Sequence, residues 1–390
     1  MTDSIQKIAV NTGGGDAPGL NAVIRAVALS AHARGWEVWG IRYGYRGLLE
    51  KPDADASDGI TLLDRDAVRG IMHQGGSILG AASRNDPFHY PVMQGGTRVP
   101  KDVSARLVRR FRELGFDALV AIGGDGSIKL ARRLLERGLP RVMAVPKTID
   151  NDLPGTDVTF GFSTAVATAT DAIDKIHTTA QSHERVMVVE VMGRYAGWIA
   201  LESGIAGGAD VVLIPEIPYN LDRVCEKIQR REAIGRHFSI VVVAEGAKPL
   251  GGGMVFRGDK DAFHEYARLG GIAEVLARQI PDRTGKETRS LVLGHLQRGG
   301  SPVMSDRVLA QQLGCAATRF LATTNQSGLV SVRGQRIELV DLEEATRGIR
   351  TVPLDSDLLQ TGRDLGLCFG DEDPGVLLNS VRPPPVTRPR

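Results

Sequence analysis

Short apolar runs alternate with amphipathic segments along this chain, and that alternation limits the fold more than any other feature. The run at residues 8–10 ends in three glycines. Apolar side chains then recur at offsets of three and four from Leu20 to Ala31, which places them on one helical face. Runs at 118–122 and 142–145 repeat the pattern. Buried strands joined by crossover helices form parallel sheets with helices on both faces, so we predict an α/β fold.

The length of the chain exceeds one average domain. With 390 residues, 42% of them apolar, the sequence can fill the cores of two α/β lobes. The last ten residues, 381–390, are rich in proline and arginine and cannot build a core. We therefore predict a disordered tail at this end.

Charge and cysteine content exclude several classes of protein. The formal net charge of +2 is too small for an electrostatic nucleic-acid binder, which concentrates a larger basic excess. Three widely spaced cysteines without a CxxC pair indicate free thiols in a reducing compartment. No signal peptide is evident, and no run approaches the roughly 20 apolar residues that span a bilayer. We expect a cytoplasmic protein without a nucleic-acid or membrane partner.

Two glycine-rich loops follow predicted strands. Residues 13–15 lie at the carboxyl end of a parallel strand, where open α/β sheets bind ligands and where glycines let a phosphate approach backbone N–H groups. This loop is neither GxGxxG nor a Walker A motif. Residues 123–127 repeat the setting with Asp125, which suits Mg²⁺ beside phosphates, and with Ser127 as the expected N-cap of the next helix. The alternative to phosphate binding is that both loops are tight structural turns, with Asp125 stabilising the second one.

A third loop carries Lys147, Thr148, Asp150 and Asp152 directly after the run at 142–145. Phosphoryl transfer to a hydroxyl needs a base for the proton, a metal to screen phosphates and a cation for the developing charge. An aspartate can act as the base, an aspartate can also bind the metal, and the lysine supplies the cation. A polar turn is the alternative interpretation, and the carboxylate in the second glycine loop argues against it.

Four arginines and a histidine lie near the ends of the strands predicted at 186–191 and 291–293. Guanidinium groups at strand ends suit bidentate capture of an oxyanion. A single Arg or His is more often structural, and Arg185 suits a surface charge, but together these residues predict a phosphate-binding pocket. The set consists of Arg185, Arg194, Arg289, His295 and Arg298.

Five segments resemble the signature sequences of the phosphofructokinase family. They occur in the family's order and span most of residues 5–320. The resemblance implies Mg²⁺-dependent transfer of a phosphoryl group to the C1 hydroxyl of fructose 6-phosphate, giving fructose 1,6-bisphosphate in glycolysis. The segments are NTGGGDAPGLNAVIR (11–25), GGDGS (123–127), PKTIDND (146–152), VMGRYAGW (191–198) and LGHLQRGG (293–300).

The resemblance also implies roles for single positions. Asp150 would accept the proton of the C1 hydroxyl, and Asp125, with Asp152, would serve the Mg²⁺ site. Thr148 and Arg194 would stabilise the transferring phosphoryl group, with Lys147 in the same catalytic set. The donor side would comprise Gly14, Tyr45, Arg84, Gly124, Asp125, Gly126 and Ser127. The sugar-phosphate side would comprise Thr148, Asp150, Asp152, Arg185, Met192, Gly193, Arg194, Glu245, Arg289, His295 and Arg298.

The family further implies an architecture of two Rossmann-like αβα lobes with mainly parallel sheets and the active site in the cleft between them. We expect the phosphoryl-donor lobe to cover 1–161 and roughly 297–347, and the sugar-phosphate lobe to cover 162–296 and roughly 348–380. In the family, residues matching Arg185 and Arg289 reach the sugar's phosphate from a neighbouring subunit. We therefore expect a homo-oligomer, a tetramer.

The phosphoryl donor depends on two positions. In the family, Gly at 126 leaves room for the nucleoside of ATP, whereas Asp fills that space in pyrophosphate users; Lys at 147 is typical of the pyrophosphate enzymes. Because steric exclusion outweighs an added flexible cation, we expect ATP, with a pyrophosphate-dependent phosphofructokinase as the alternative. NAD kinases and diacylglycerol kinases share GGDGS but not the other motifs. A catalytically silent regulatory homologue should have lost Asp125 or Asp150, and both are present.

Overall fold

The computed structural model describes residues 5–50, 59–82, 86–256 and 269–371. The chain divides into two compact units. The first comprises Met1–Ala165 and Arg298–Arg350, and the second comprises Val166–Gln297 and Thr351–Arg390. Among the helices described, none is long and apolar enough to cross a membrane.

Strands and helices are numbered in chain order. The strands are β1 (Lys7–Thr12), β2 (Glu37–Ile41), β3 (Ile60–Leu62), β4 (Tyr90–Gln94), β5 (Thr97–Lys101), β6 (Ala118–Gly123), β7 (Val142–Pro146), β8 (Val186–Val191), β9 (Val211–Leu213), β10 (Ser239–Ala244), β11 (Thr288–Val292), β12 (Gly328–Arg333) and β13 (Arg336–Val340). The helices are α1 (Leu20–His32), α2 (Arg46–Leu49), α3 (Ser104–Glu113), α4 (Asp125–Glu136), α5 (Phe162–His183), α6 (Trp198–Ala206), α7 (Leu221–Ala233), α8 (Ile272–Thr284), α9 (Met304–Thr323) and α10 (Asp357–Asp364). Short 3₁₀ turns lie at Gly294–Arg298 and Glu344–Thr346.

The first unit is built on a mixed but mainly parallel sheet. Within its described residues, seven strands follow the order β13-β12-β7-β6-β1-β2-β3. The strands from β12 to β2 run parallel, and the edge strands β13 and β3 are antiparallel to their neighbours. The chain passes from β1 to β2 on one side and later adds β6 on the other, so the strand order reverses between β1 and β6. Open α/β sheets bind ligands at such a reversal, outside the carboxyl ends of the strands.

Successive residues of the central strands face two different helical layers. Val120 of β6 packs with α1 and α9, whereas Leu119 beside it packs with α3 and α4. This period of two is the consequence of the pleated backbone. Helices α1 and α9 approach so closely that a Cβ on Gly314 would lie 2.8 Å from the Cβ of Ala26. The sheet is buried on both faces, which confirms the predicted αβα layering.

The second unit has a smaller, parallel sheet. In the part of this unit that is described, four strands follow the order β11-β8-β10-β9. Helices α7 and α8 cover one face through Val224, Ile228 and Leu276. The strand order reverses between β8 and β11, so the loops after these two strands flank the reversal.

The C-terminal segment of the second unit covers the outer edge of β9. Cys368 forms a parallel bridge with Val211. Its carbonyl accepts from the amide of Val212 at 2.9 Å, and its own amide donates to the carbonyl of Asp210 at 3.0 Å. A bare edge strand would present unpaired backbone groups to other chains. The segment at Cys368, in a region where the sequence offers no motif, therefore has a structural role.

Some details differ from the sequence-based expectations or lie beyond the described residues. Ser127 is not an N-cap, because α4 begins at Asp125 with Gly124 as its N-cap residue. The sequence also misses the hairpin of β4 and β5, since every residue of β5 is exposed and carries no apolar alternation. Arg84 and the predicted tail at 381–390 lie outside the residues described.

Candidate active site

Three loops of the first unit meet at the carboxyl edge of its sheet. Strands β1, β6 and β7 are parallel neighbours. The amide of Gly13 donates to the carbonyl of Ile122 at 2.9 Å, and the amide of Lys147 donates to the carbonyl of Gly123 at 3.0 Å. The loops that follow these strands therefore lie side by side where the strand order reverses.

Ser127, in the first turn of α4, is enclosed by two of the glycines. A Cβ on Gly13 would lie 2.5 Å from its hydroxyl oxygen, and a Cβ on Gly123 would lie 2.3 Å from its Cβ. Any larger residue at either position would collide with the helix. These two glycines are thus required by internal packing, while Gly14, with φ +75°, adopts a backbone conformation that favours glycine.

Lys147 lies against the first glycine loop, with only 4% of its surface exposed. Its Nζ donates a hydrogen bond to the carbonyl oxygen of Gly15 at 2.6 Å and is 3.4 Å from where a Cβ on Gly14 would lie. Burial, reinforced by the guanidinium of Arg298, lowers the pKa of Lys147 to about 8, and Asp150 opposes the shift. A cation is held where the glycine loop can receive an anion.

The loop after β7 is shaped by its own side chains. Thr148 Oγ1 accepts from the amide of Asp150 at 3.1 Å and donates to Oδ1 of Asp152 at 3.2 Å. Asn151 between the aspartates has φ +52°, and its side-chain oxygen accepts from the amide of Thr159 at 3.0 Å. Burial, followed by the charge of Asp150, raises the pKa of Asp152 to about 6. Two repelling carboxylates in a buried loop suit the binding of a cation or the acceptance of a proton.

Asp125 is a third carboxylate near this pair, since its charge also raises the pKa of Asp152. Oδ2 of Asp125 accepts from Lys129 at 2.8 Å, whereas Oδ1 is buried and has no hydrogen-bond partner among the described residues. Such an oxygen calls for a water or a cation. The described residues contain no ready-made cage of three His, Cys, Asp or Glu ligands. Mg²⁺ needs none, because it keeps waters and binds one or two carboxylates together with substrate phosphates. Asp125 and Asp152 therefore fit Mg²⁺.

The remaining donor-side residues lie in different surroundings. Gly126 is exposed, and a Cβ there would meet no atom of the described residues within 4 Å. A Cβ on Gly124 would lie 3.1 Å from the carbonyl oxygen of Lys147, so that position is tightly packed. Tyr45 is 6% exposed, packs in the core, and hydrogen-bonds to Asn11, and burial raises its pKa. Space for a ligand thus opens at Gly126, and a donor contact by Tyr45 stays a prediction.

In the second unit, two neighbouring loops after β8 and β10 hold the residues predicted to contact the sugar. The amide of Gly246 donates to the carbonyl of Gly193 at 3.0 Å. Gly193 has φ +137°, and a Cβ on Gly246 would lie 1.9 Å from the carbonyl oxygen of Arg194, so both glycines permit this close approach. The predicted residues in the two loops are Met192, Gly193, Arg194 and Glu245.

Gln297, which was not among the predicted site residues, links two loops of the second unit. Its side chain is fully buried: Oε1 accepts from the amide of Met192 at 3.3 Å, and Nε2 donates to the carbonyl of Gly294 at 3.2 Å. It ties the loop after β8 to the loop after β11 that carries His295. The amide inside the glycine-framed LGHLQRGG motif was the available signal, but the motif does not reveal which distant backbone it reaches.

The two residues predicted to bind the 6-phosphate belong to different units. His295 is exposed in the 3₁₀ turn near the end of the second unit's first segment. Arg298 belongs to the first unit, and its Nη1 donates to the carbonyl of Asp16 at 3.2 Å. A Cβ on Gly15 would lie 3.0 Å from the same Nη1. Arg298 is therefore associated with the loop after β1, and its contact with a sugar phosphate stays a prediction.

Arg185 and Arg289 lie at the opposite edge of the second sheet. Arg185 directly precedes β8, and Arg289 is the second residue of the neighbouring strand β11. Both form ion pairs with Glu287, Arg185 at 2.9 Å. At about 3.3 Å per residue, Arg289, which is paired with Met187, is separated from the loop after β8 by roughly 16 Å, and Arg185 is separated from it by roughly 23 Å. The expectation that both arginines reach the sugar's phosphate in a neighbouring subunit stays a prediction.

Known proteins resemble this chain over most of its length. The phosphofructokinase family model matches residues 7–321. An ATP-dependent 6-phosphofructokinase of Chloroflexus aggregans is 48% identical over 372 residues, covering 95% of this chain and 100% of the relative. A pyrophosphate–fructose 6-phosphate 1-phosphotransferase of Amycolatopsis methanolica is 48% identical over 349 residues, covering 89% of this chain and 96% of that protein.

The fold has counterparts among solved structures. A phosphofructokinase of Pichia pastoris in the T-state shares 32% identity and a TM-score of 0.72, covering 89% of this chain. The chain spans 36% of the length of that yeast protein. Fold and site together define an α/β phosphotransferase. The chain belongs to the phosphofructokinase family.

Proposed function

We propose that this chain is a 6-phosphofructokinase that transfers the terminal phosphoryl group of ATP to the C1 hydroxyl of fructose 6-phosphate. The observation that carries the proposal is the meeting of three loops at the reversal of the first sheet. There a buried lysine contacts a glycine loop, and three carboxylates lie close enough for their charges to interact. Relatives named ATP-dependent 6-phosphofructokinase support the same reaction.

The chemistry follows from the loop after β7. Asp150 accepts the proton of the attacking hydroxyl, and the hydrogen bond from its amide to Thr148 orients the backbone that carries it. Thr148, Lys147 and Arg194 stabilise charge on the transferring group. In phosphoryl transfer the protein itself carries out little covalent chemistry. Positioning of the reactants and neutralisation of their charge therefore supply most of the rate enhancement.

Asp125 and Asp152 would hold Mg²⁺ in this site. The bound ion would neutralise charge on the phosphates. The buried Oδ1 of Asp125, which has no hydrogen-bond partner in the described part of the chain, and the raised pKa of Asp152 support this assignment, because a nearby cation would stabilise both carboxylates.

The open space at Gly126 favours ATP as the donor, since a nucleoside needs room beyond the phosphates that a glycine leaves free. Pyrophosphate is the second candidate. Two observations favour it: Lys147 is buried against the glycine loop, and the Amycolatopsis methanolica relative is named as a pyrophosphate enzyme.

We assign donor binding to the first unit and sugar-phosphate binding mainly to the second. The position of Arg185 and Arg289 at the far edge of the second sheet supports a homo-oligomer, a tetramer, in which a neighbouring subunit provides these arginines. Exposure of Arg289, Ser290 and Val292 on the edge strand β11 supports an association surface there. Free thiols at all three cysteines suit the cytoplasm.

Steady-state assays of the purified protein with fructose 6-phosphate, Mg²⁺ and either ATP or pyrophosphate test the function. Turnover with ATP is expected. Turnover with pyrophosphate and none with ATP would establish the second candidate, and no turnover with either donor would overturn both.

A further inference from the structure

Arg350 contacts the loop that carries the proposed base, although it lies outside the residues matched by the family model and outside every motif. Its Nη1 donates to the carbonyl oxygen of Asn151 at 2.9 Å. Its backbone amide donates to the carbonyl oxygen of Asp152 at 2.8 Å. Two consecutive carbonyls of the loop are thus bound by one residue.

The loop needs an external partner at this point. Asn151 has φ +52°, a left-handed conformation that costs energy for any residue with a side chain. It is also 4% exposed, so water has little access to its backbone. A buried carbonyl without a partner is costly, and the turn at Asn151 directs its carbonyl to Arg350.

The conformation of Asn151 decides where its two neighbours lie. Asp150 precedes it and Asp152 follows it; burial, followed by the like charge of Asp150, raises the pKa of Asp152, so the placement of the two carboxylates matters. Thr148 links to both, but it is part of the same loop and moves with it. Arg350 reaches the loop from 199 residues away in sequence and can fix it relative to the sheet.

We propose that Arg350 is a positioning residue that stabilises the left-handed turn at Asn151 and thereby orients the carboxylate of Asp150. The proposal rests on the proposed function for its catalytic consequence. Truncating the guanidinium should lower kcat by about 10- to 100-fold, because a displacement on the order of 1 Å at a reacting group has effects of that size. The KM values should change much less, because these two hydrogen bonds of Arg350 reach backbone carbonyl oxygens of the loop after β7 and not side chains that would bind substrate.

Three variants separate positioning from general stability. Arg350→Ala and Arg350→Met both remove the guanidinium donor to Asn151 and keep the backbone amide that donates to Asp152, and Met retains much of the side chain's apolar volume in case Ala fails to fold. Arg347→Ala is the matched control, since Arg347 lies three residues away, its side chain is 70% exposed, and it forms a surface ion pair with Glu343 at 3.0 Å. Each variant is measured for kcat, both KM values and amide hydrogen exchange of residues 147–159 by mass spectrometry.

We expect faster exchange in 147–159, lower kcat and partial recovery of kcat with added guanidinium ion for both Arg350 variants, and wild-type behaviour for Arg347→Ala. Unchanged amide exchange in residues 147–159 would overturn the proposal. This measurement does not depend on whether the protein is active. Faster exchange with wild-type kcat would overturn the catalytic role. An inactive wild-type protein would instead refute the proposed function, so the two failures are distinguishable.

Discussion

The ammonium group of Lys147 donates a hydrogen bond to the carbonyl oxygen of Gly15, 2.6 Å away. This contact fixes a buried cation against the glycine loop of the first unit, in surroundings that lower the pKa of Lys147 to about 8. The charge next to the loop therefore changes within an experimentally accessible range of pH. Electrostatic attraction for phosphates should change with it.

Donor affinity should fall as pH rises through about 8, because the native lysine loses its proton there. A bound phosphoryl donor favours the charged form, so the fall should begin somewhat above that pH in the complex. Calorimetric titration of the donor between pH 7 and 9.5 measures it. Lys147→Met should bind the donor weakly and without this pH dependence. Wild-type affinity that stays constant up to pH 9.5 would contradict the assignment.

Asp152→Asn should stabilise the protein without Mg²⁺ at neutral pH. The native pKa of about 6 lies above the ordinary value of 3.8, so the native state keeps a proton that the unfolded chain loses as pH rises. The ionised Asp152 therefore destabilises the protein fully above about pH 6, and the advantage of Asn should shrink as pH falls toward 4. Thermal unfolding at several pH values tests this. Asp355→Asn, at an exposed position, is the control and should show no such trend.

Asp150→Asn should lower turnover by on the order of 10²–10⁴ while largely sparing sugar-phosphate affinity, because a carboxamide keeps the shape of the carboxylate but cannot accept the proton. Steady-state kinetics together with direct binding of fructose 6-phosphate measure both effects. Near-native turnover in this variant would show that another group is the base.

Mixing two inactive variants should restore activity if a neighbouring subunit completes the sugar-phosphate site. Arg289→Ala and Asp150→Asn subunits, dissociated and reassembled in equal amounts, should recover up to about one quarter of wild-type activity, the fraction of sites that combine both intact residues. Light scattering of the wild type should report an oligomer. A fully active monomer would exclude this arrangement.

Gly126→Asp should reduce kcat/KM for ATP by about 10²-fold, since the new side chain enters the open space at the start of α4 and adds negative charge beside the phosphates. Gly126→Ala is the control. Its Cβ meets no atom of the described residues within 4 Å, so folding and ATP use should persist. Equal ATP use by Gly126→Asp and the wild type would place the nucleoside elsewhere.

Much of the architecture was predictable because it is encoded locally. Apolar runs separated by helical spacing predict buried parallel strands with crossover helices, and both sheets confirm it. Since carboxyl ends of parallel strands share one edge, the loops after β1, β6 and β7 lie at the same edge of the first sheet. Short exposed strands such as β5 escaped prediction, because solvent on both faces leaves no apolar pattern to read.

The sequence alone determined the α/β class, the family resemblance and the three loops with Asp125, Lys147 and Asp150, because residue spacing and motif chemistry are properties of adjacent residues. Only the tertiary structure decided which distant groups meet. It placed Arg350 on a loop 199 residues earlier in the chain and Arg185 at the edge of the second sheet opposite His295. Such contacts depend on how the layers pack and in which order the strands pair, and neither is recorded in the spacing of neighbouring residues.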